Sequence, residues 1–194
     1  GNGSSGSTFQ GTSFTGFTAT EPADIISDVA LFYNTYTAGD TRRDVSYAKQ
    51  LLNPATGTVY TFPKPIFKKY LDLTNLATPG NVAINFPIIR YADILLMKAE
   101  CNVRLNNPSA GKPFIDAVRQ RAGLNPLNAD PTLEDIYNER GFELTWEGHR
   151  RQDMIRFGKF LEARGLVAAA QPNRLLFPIP TAALNANPLL KPNP

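Results

Sequence analysis

Glu139, Glu143 and Glu147 recur at every fourth position, a spacing that lines three carboxylates along one side of a helix. Paired acids are the equipment of glycoside hydrolysis, in which one carboxyl donates a proton and the other attacks or activates water. Such work needs a carboxyl with raised proton affinity. Arg140, Arg150, Arg151 and Arg156 crowd the same stretch, and guanidinium groups hold carboxylates ionised. At about 100° per residue, Arg140 and Glu147 fall in the core-facing sector of Leu133, Ile136, Tyr137 and Leu144. Charge on a buried face is costly unless it is paired and hydrogen-bonded. Arg140, Glu143, Glu147, Arg150, Asp153 and Arg156 are therefore expected to form one structural ionic network. The alternative is a hydrolase that uses Glu139, Glu143 and Glu147.

Other reactive residue types lack the company their chemistry needs. Gly1-Asn2-Gly3-Ser4-Ser5-Gly6 matches a dinucleotide fingerprint letter by letter but follows no strand and opens no helix. Ser46-Tyr47-Ala48-Lys49 matches a serine-acylase motif without the accompanying Ser-Asp-Asn or Lys-Thr-Gly. His149 is the single histidine, so no histidine metal pair forms, and its expected place is the turn between two helices. Cys101 is the single cysteine and, beside Ala99 and Val103, reads as a small apolar filler. Trp146, near Phe142, reads as core packing. No metal or cofactor is expected.

The pI near 9.0 could suggest nucleic acid, but basic and acidic residues alternate, as in Arg42, Arg43, Asp44 and Glu147, Arg150, Arg151, Asp153. Backbone binding needs an unopposed positive stripe, so nucleic acid is not an expected partner. No apolar run reaches the roughly 18 residues of a membrane-spanning helix, and the first residues lack the charged and apolar regions of a signal peptide.

These residues need elements to hold them. The sequence divides near residue 87 into a loop-rich region, 1–87, with one helix and candidate ligand loops, and a helical region, 88–194, with an extended tail. Residues 1–20 are mostly Gly, Ser and Thr with Phe9, Phe14 and Phe17 interspersed. A helix is expected after Thr20, carrying Ile25, Ile26, Val29, Ala30 and Tyr33 and ending before Gly39. Prolines and glycines make 51–87 a stretch of turns and short extended pieces.

Residues 88–105 carry a strong helical pattern, with Arg90, Asp93, Met97, Glu100 and Arg104 in one polar stripe and apolar residues on the other sides. That pattern predicts cover by neighbouring helices on all but the stripe. Asn106-Asn107-Pro108 breaks the helix, and a second, over 113–122, closes at Gly123 to make an antiparallel hairpin. A third is expected to be capped by Asp130, with Pro131 first, and to reach Glu147. A fourth spans 150–160, and the tail is extended with one short turn.

Taken together, NFPIIRYADILLMKAE at 85–100, IDAVRQRAGL at 115–124, ERGFELTWEGHRRQDMIRFGKF at 139–160 and LLFPIPTAALNANPLLKPNP at 175–194 closely resemble the C-terminal signature of the SusD/RagB family. Gly39-Asp40-Thr41-Arg42 and Ile66-Phe67-Lys68-Lys69-Tyr70 are similar to elements upstream of that signature. The tail stops short of the Gly-Tyr that often ends the family, and Phe142 stands where larger polar or aromatic residues are usual. The resemblance implies an all-α fold of tetratricopeptide-like helical hairpins with long Pro/Gly-rich loops. It also implies a surface-exposed outer-membrane lipoprotein, anchored outside this sequence, that delivers glycans to a SusC-like TonB-dependent channel without catalysis.

In such proteins aromatic and amide side chains from variable loops hold the sugar. Phe9, Phe14, Phe17, Tyr33, Asn34, Tyr36 and Tyr60 are the candidates, because flat rings stack on pyranose faces and amides pair with hydroxyls. A glycan-binding uptake component is thus expected, against a hydrolase or a helical-repeat interaction scaffold without a small ligand.

Overall fold

The computed structural model describes residues 32–52, 57, 59–67, 69, 85–164 and 167–193. Most of the expected first helix lies outside them; residues 32 and 33 are helical and the chain turns just after. Helix α1 (Thr41–Ser46) starts at Asp40, whose side chain accepts from the Arg42 amide. It leads into strand β1 (Tyr47–Leu52), which pairs antiparallel with β2 (Val59–Phe67) from Tyr47 opposite Phe67 to Leu52 opposite Val59. A register shift between Ala48 and Gln50 interrupts the ladder. Those extended pieces therefore form a hairpin.

Helices α2 (Tyr91–Arg104) and α3 (Pro108–Arg121) pack as the central hairpin, and α4 (Leu133–Glu143) lies against them. Leu96, Ala99, Ile115, Val118 and Ile136 form the buried centre. Gly111 permits the close approach of the pair: a Cβ there would stand 2.9 Å from the Ala99 carbonyl oxygen. Pro108 does not merely break α2. It opens α3 at the first turn, where its missing N–H costs nothing, so α3 begins five residues earlier than the sequence predicts. Gly123, at φ +80°, closes it as expected, with Leu124 N donating to Arg119 O at 2.9 Å.

Two residues of the polar stripe of α2, Asp93 and Glu100, turn inward against expectation, while Met97 and Arg104 of the same stripe lie exposed. Asp93 and Glu100 are 1% and 4% exposed, whereas Ile88, Ile89 and Tyr91 lie open to solvent. The reason is that α4 and the next helix supply arginines that compensate both carboxylates inside. Cys101 is likewise exposed rather than a buried filler.

Helix α4 is capped by Thr132, not Asp130: the Thr132 hydroxyl accepts from the Asp135 amide while the Asp135 carboxylate accepts from Thr132 N at 2.8 Å. It ends at Glu143 rather than Glu147. Leu144 caps it, Trp146 takes φ +61° and Gly148 φ +81°, and α5 (Arg150–Arg156) follows from His149. Trp146 is half-exposed, not core packing. The tail holds a 3-10 turn (Pro172–Leu175) and helix α6 (Thr181–Ala186). It is pinned where the Arg151 guanidinium sits 4.3 Å from the centre of the Phe177 ring. None of the helices of the described residues is long and apolar enough to cross a membrane.

Candidate functional site

Among the described residues two ionic networks, not one, emerge from α4. The first starts at Arg42, which grips Asp40 with Nε and Nη2 at 2.9 and 2.7 Å and donates Nη1 to Glu139 at 2.6 Å and to Glu143 at 3.3 Å. Glu139 takes Arg119 on its other oxygen at 3.2 Å. Glu143 accepts from Arg90 at 2.8 Å and Arg121 at 2.5 Å. Glu147 receives Arg90 through two nitrogens, at 2.6 and 2.8 Å, and Lys69 as well. Arg90 and Lys69 also donate to the Glu143 carbonyl, one of the oxygens left unpaired where α4 ends.

The second network lies around Arg140. It donates Nε to Asp153 at 2.9 Å and Nη1 to Asp93 at 2.7 Å. Arg156 joins Asp153 to Glu100, at 2.8 and 2.5 Å, and Arg104 completes the set on Glu100. Helices α2, α4 and α5 are thus tied together by charge as well as by apolar contact.

Of the six residues expected in one network, Glu143 and Glu147 belong to the first, Arg140, Asp153 and Arg156 to the second, and Arg150 to neither. Glu147 is buried as projected, but not on a helix face, because α4 has already ended at Glu143. Asp40, Arg42, Lys69, Arg90, Asp93, Glu100, Arg119 and Arg121 join as partners the sequence reading did not assign. The Asp40-x-Arg42 spacing and the α2 stripe were the available signals.

Burial and pairing compete at each carboxyl. Burial pushes Glu147 up, but Arg90 and Lys69 prevail and hold it below the ordinary value; Arg156 and Arg104 do the same for Glu100. At Glu139 burial wins over Arg42 and Arg119, and its proton affinity is raised, contrary to the expectation that the arginines keep it low. A raised carboxyl alone does not make an acid catalyst. Glu139, Glu143 and Glu147 are 2, 3 and 4% exposed and their oxygens are occupied by cations, an arrangement suited to an ionic lock rather than to proton transfer.

Among the candidate sugar contacts, Tyr36 is buried. Its ring meets Phe32, Tyr47 and Phe142, and its hydroxyl donates to Phe142 O at 3.3 Å, which removes it as a sugar platform. Tyr33 is partly exposed, edge-on to Tyr47, with Arg43 and Lys49 over its ring, and Asn34 beside it is exposed. Tyr60 lies on β2 opposite Leu51. Phe9, Phe14 and Phe17 lie outside the described residues. No cluster of metal-ligating side chains occurs among the described residues.

Residues 3–173 match the SusD family profile, so the chain belongs to the SusD family. SusD-like protein P25 of Formosa agariphila is 32% identical over 164 residues, covering 77% of this chain and 31% of that protein. Starch-binding protein SusD of Bacteroides thetaiotaomicron is 28% identical over 114 residues, 53% of this chain and 20% of that one. Among solved structures, a laminarin-binding SusD-like protein superposes with a TM-score of 0.65 at 27% identity, over 84% of this chain and 37% of that one. The chain thus spans about a third, or less, of the length of these relatives. The helix-dominated body is the SusD-like, tetratricopeptide-type fold the sequence motifs implied.

Proposed function

We propose that this chain forms part of a non-catalytic glycan-binding protein of an outer-membrane uptake system, which passes oligosaccharide to a SusC-type TonB-dependent channel. Membership of the SusD family carries the reading, since relatives in it are named for binding starch and laminarin. The geometry supports it by occupying Glu139, Glu143 and Glu147 with cations, which leaves the hydrolase alternative without an unpaired acid among the three. Sugar contact then falls to loop residues on the upstream side. Tyr33 and Asn34 are the accessible described candidates, with Phe9, Phe14, Phe17 and Tyr60 beside them in the proposal. Attachment to the membrane is through a lipid anchor on the parent protein.

The test is calorimetric titration with malto-oligosaccharides and laminari-oligosaccharides, with chromatography of the ligand afterwards. Saturable binding with the ligand recovered intact is expected. Shortened products that disappear in Glu143→Gln would replace this reading with the hydrolase.

A further inference from the structure

The interleaving of basic with acidic residues ends at Glu162: residues 163–194 carry Arg164, Arg174 and Lys191 and no acidic side chain. Against this one-signed tail lies Arg151 of α5, half-buried. Its guanidinium sits over two rings, 4.3 Å from the centre of Phe177 and 5.1 Å from that of Phe160. Contact with rings uses the faces of the group and leaves its in-plane N–H donors, none of which meets a carboxylate among the described residues. Arg42, Arg90, Arg140 and Arg156, by contrast, each meet at least two carboxylates.

Arg151, Phe160, Asn173, Arg174, Phe177 and Asn193 line a cavity of about 530 Å³, within the roughly 300–1,000 Å³ of small-molecule sites. The tail closes its rim by itself, for Asn193 Nδ2 donates to Phe177 O at 2.7 Å. That bond leaves the Asn193 amide oxygen as an acceptor, and the side chains of Asn173 and the exposed Arg174 have no polar partner among the described residues. Phe177 is 75% exposed although Arg151 lies over its ring. Two guanidinium groups without a counter-charge call for an anion, and the planar fork of arginine matches a carboxylate through two parallel hydrogen bonds. Amides pair with hydroxyls, and an open flat ring takes the apolar face of a pyranose. A neutral glucan would leave both cations unanswered, and an inorganic anion would leave ring and amides idle.

We propose that the cavity between α5 and the tail binds a uronate, a sugar unit bearing a carboxylate, with that carboxylate met by Arg151 and Arg174 and the sugar ring laid on Phe177. The site shares no lining residue with the upstream candidates Tyr33, Asn34 and Tyr60. The choice of a sugar over another carboxylate rests on the glycan reading above; the place and the charge do not.

The probe is trigalacturonate, with its fully methyl-esterified form as the uncharged counterpart, each titrated into the full chain by calorimetry and by proton–nitrogen NMR of the arginine Nε–H groups. The Arg151 signal is assigned by its loss in Arg151→Met. Saturable binding of the acid with a shifted Arg151 signal is expected, weakening as salt is raised. Affinity should fall by about tenfold or more for the ester and in Arg174→Met. Because Arg151 also pins the tail through Phe177, Arg174→Met is the deciding variant: its side chain makes no polar contact that folding would miss, and its circular dichroism should be unchanged. Failure of trigalacturonate to bind overturns the proposal, and if laminari-oligosaccharides bind in the same preparation the glycan reading stands without this site. Binding of trigalacturonate with no response to neutral glucans upholds the tail site while the upstream reading fails. Equal binding of acid and ester, or an affinity and Arg151 shift that Arg174→Met leaves unchanged, overturns the proposal by placing the ligand elsewhere. A triglutamate peptide that matches trigalacturonate in affinity and shift also overturns it, and would assign the cavity to an acidic peptide.

Discussion

Arg140 meets Asp93 at 2.7 Å with 2% and 1% of the two side chains exposed, an ion pair across α2 and α4 almost wholly removed from water. Asp153 holds the opposite edge of the same guanidinium, so one arginine compensates two buried carboxylates. Removing the cation should strand Asp93 and leave Asp153 with Arg156 alone. Arg140→Met is expected to cost about 3–5 kcal/mol in urea unfolding, and joint replacement of Asp93 and Asp153 by Leu in that background should recover much of it. An unchanged unfolding midpoint in the single variant would show that the pair carries little.

Acid should act on the networks unevenly. Glu147 and Glu100 are held below the ordinary 4.5 of a glutamate, so their contribution is present above 4.5 and lost as the pH falls through their lowered values. Glu139 has the opposite sign. Its value is raised, so its contribution is greatest below 4.5 and declines as the pH rises through its own pKa. Urea midpoints measured from about pH 6 to about pH 3 should therefore fall less steeply in Glu147→Gln and more steeply in Glu139→Gln than in the parent.

Gly111→Ala should force α2 and α3 apart, because the new methyl meets the backbone oxygen of Ala99 rather than a side chain that can swing aside. A loss of about 1–3 kcal/mol is expected despite alanine's better helix propensity. Thermal unfolding at equal concentration measures it, and a gain in stability would refute the close-approach reading.

Gly123→Ala places a side chain at φ +80°, with its Cβ 3.3 Å from both the Gly39 carbonyl oxygen and Thr41 Cγ2. The conformational part alone should cost about 1–2 kcal/mol. Amide exchange should report it first at Gly123 and Leu124, whose N–H groups close α3.

What could be read in the sequence was whatever depends on neighbours along the chain. Gly123 as a cap, the α2–α3 hairpin and the fourth helix after Gly148 all follow from local chemistry and periodicity. The inward turn of Asp93 and Glu100 could not be read that way, because a polar stripe is an outer face unless distant arginines make it an inner one. The same holds for Glu147. Its position was projected along a helix, yet Trp146 and Gly148 leave helical angles and its partners Arg90 and Lys69 come from other parts of the chain. The buried Tyr36 was missed for the reason that any exposed-looking loop aromatic can be: ring packing against Phe142 is set by tertiary structure.

Arg42 and Glu139 are separated by 97 positions, and Arg42 and Glu143 by 101. During synthesis at about 5–20 residues per second, Arg42 leaves the ribosome roughly 5 to 20 s before its carboxylate partners exist. The α2–α3 hairpin, by contrast, needs only contacts between adjoining segments and can close as it emerges. Sealing of the Arg42 network thus marks completion of the chain through α4, and a nascent protein arrested before residue 139 keeps that arginine without Glu139 and Glu143.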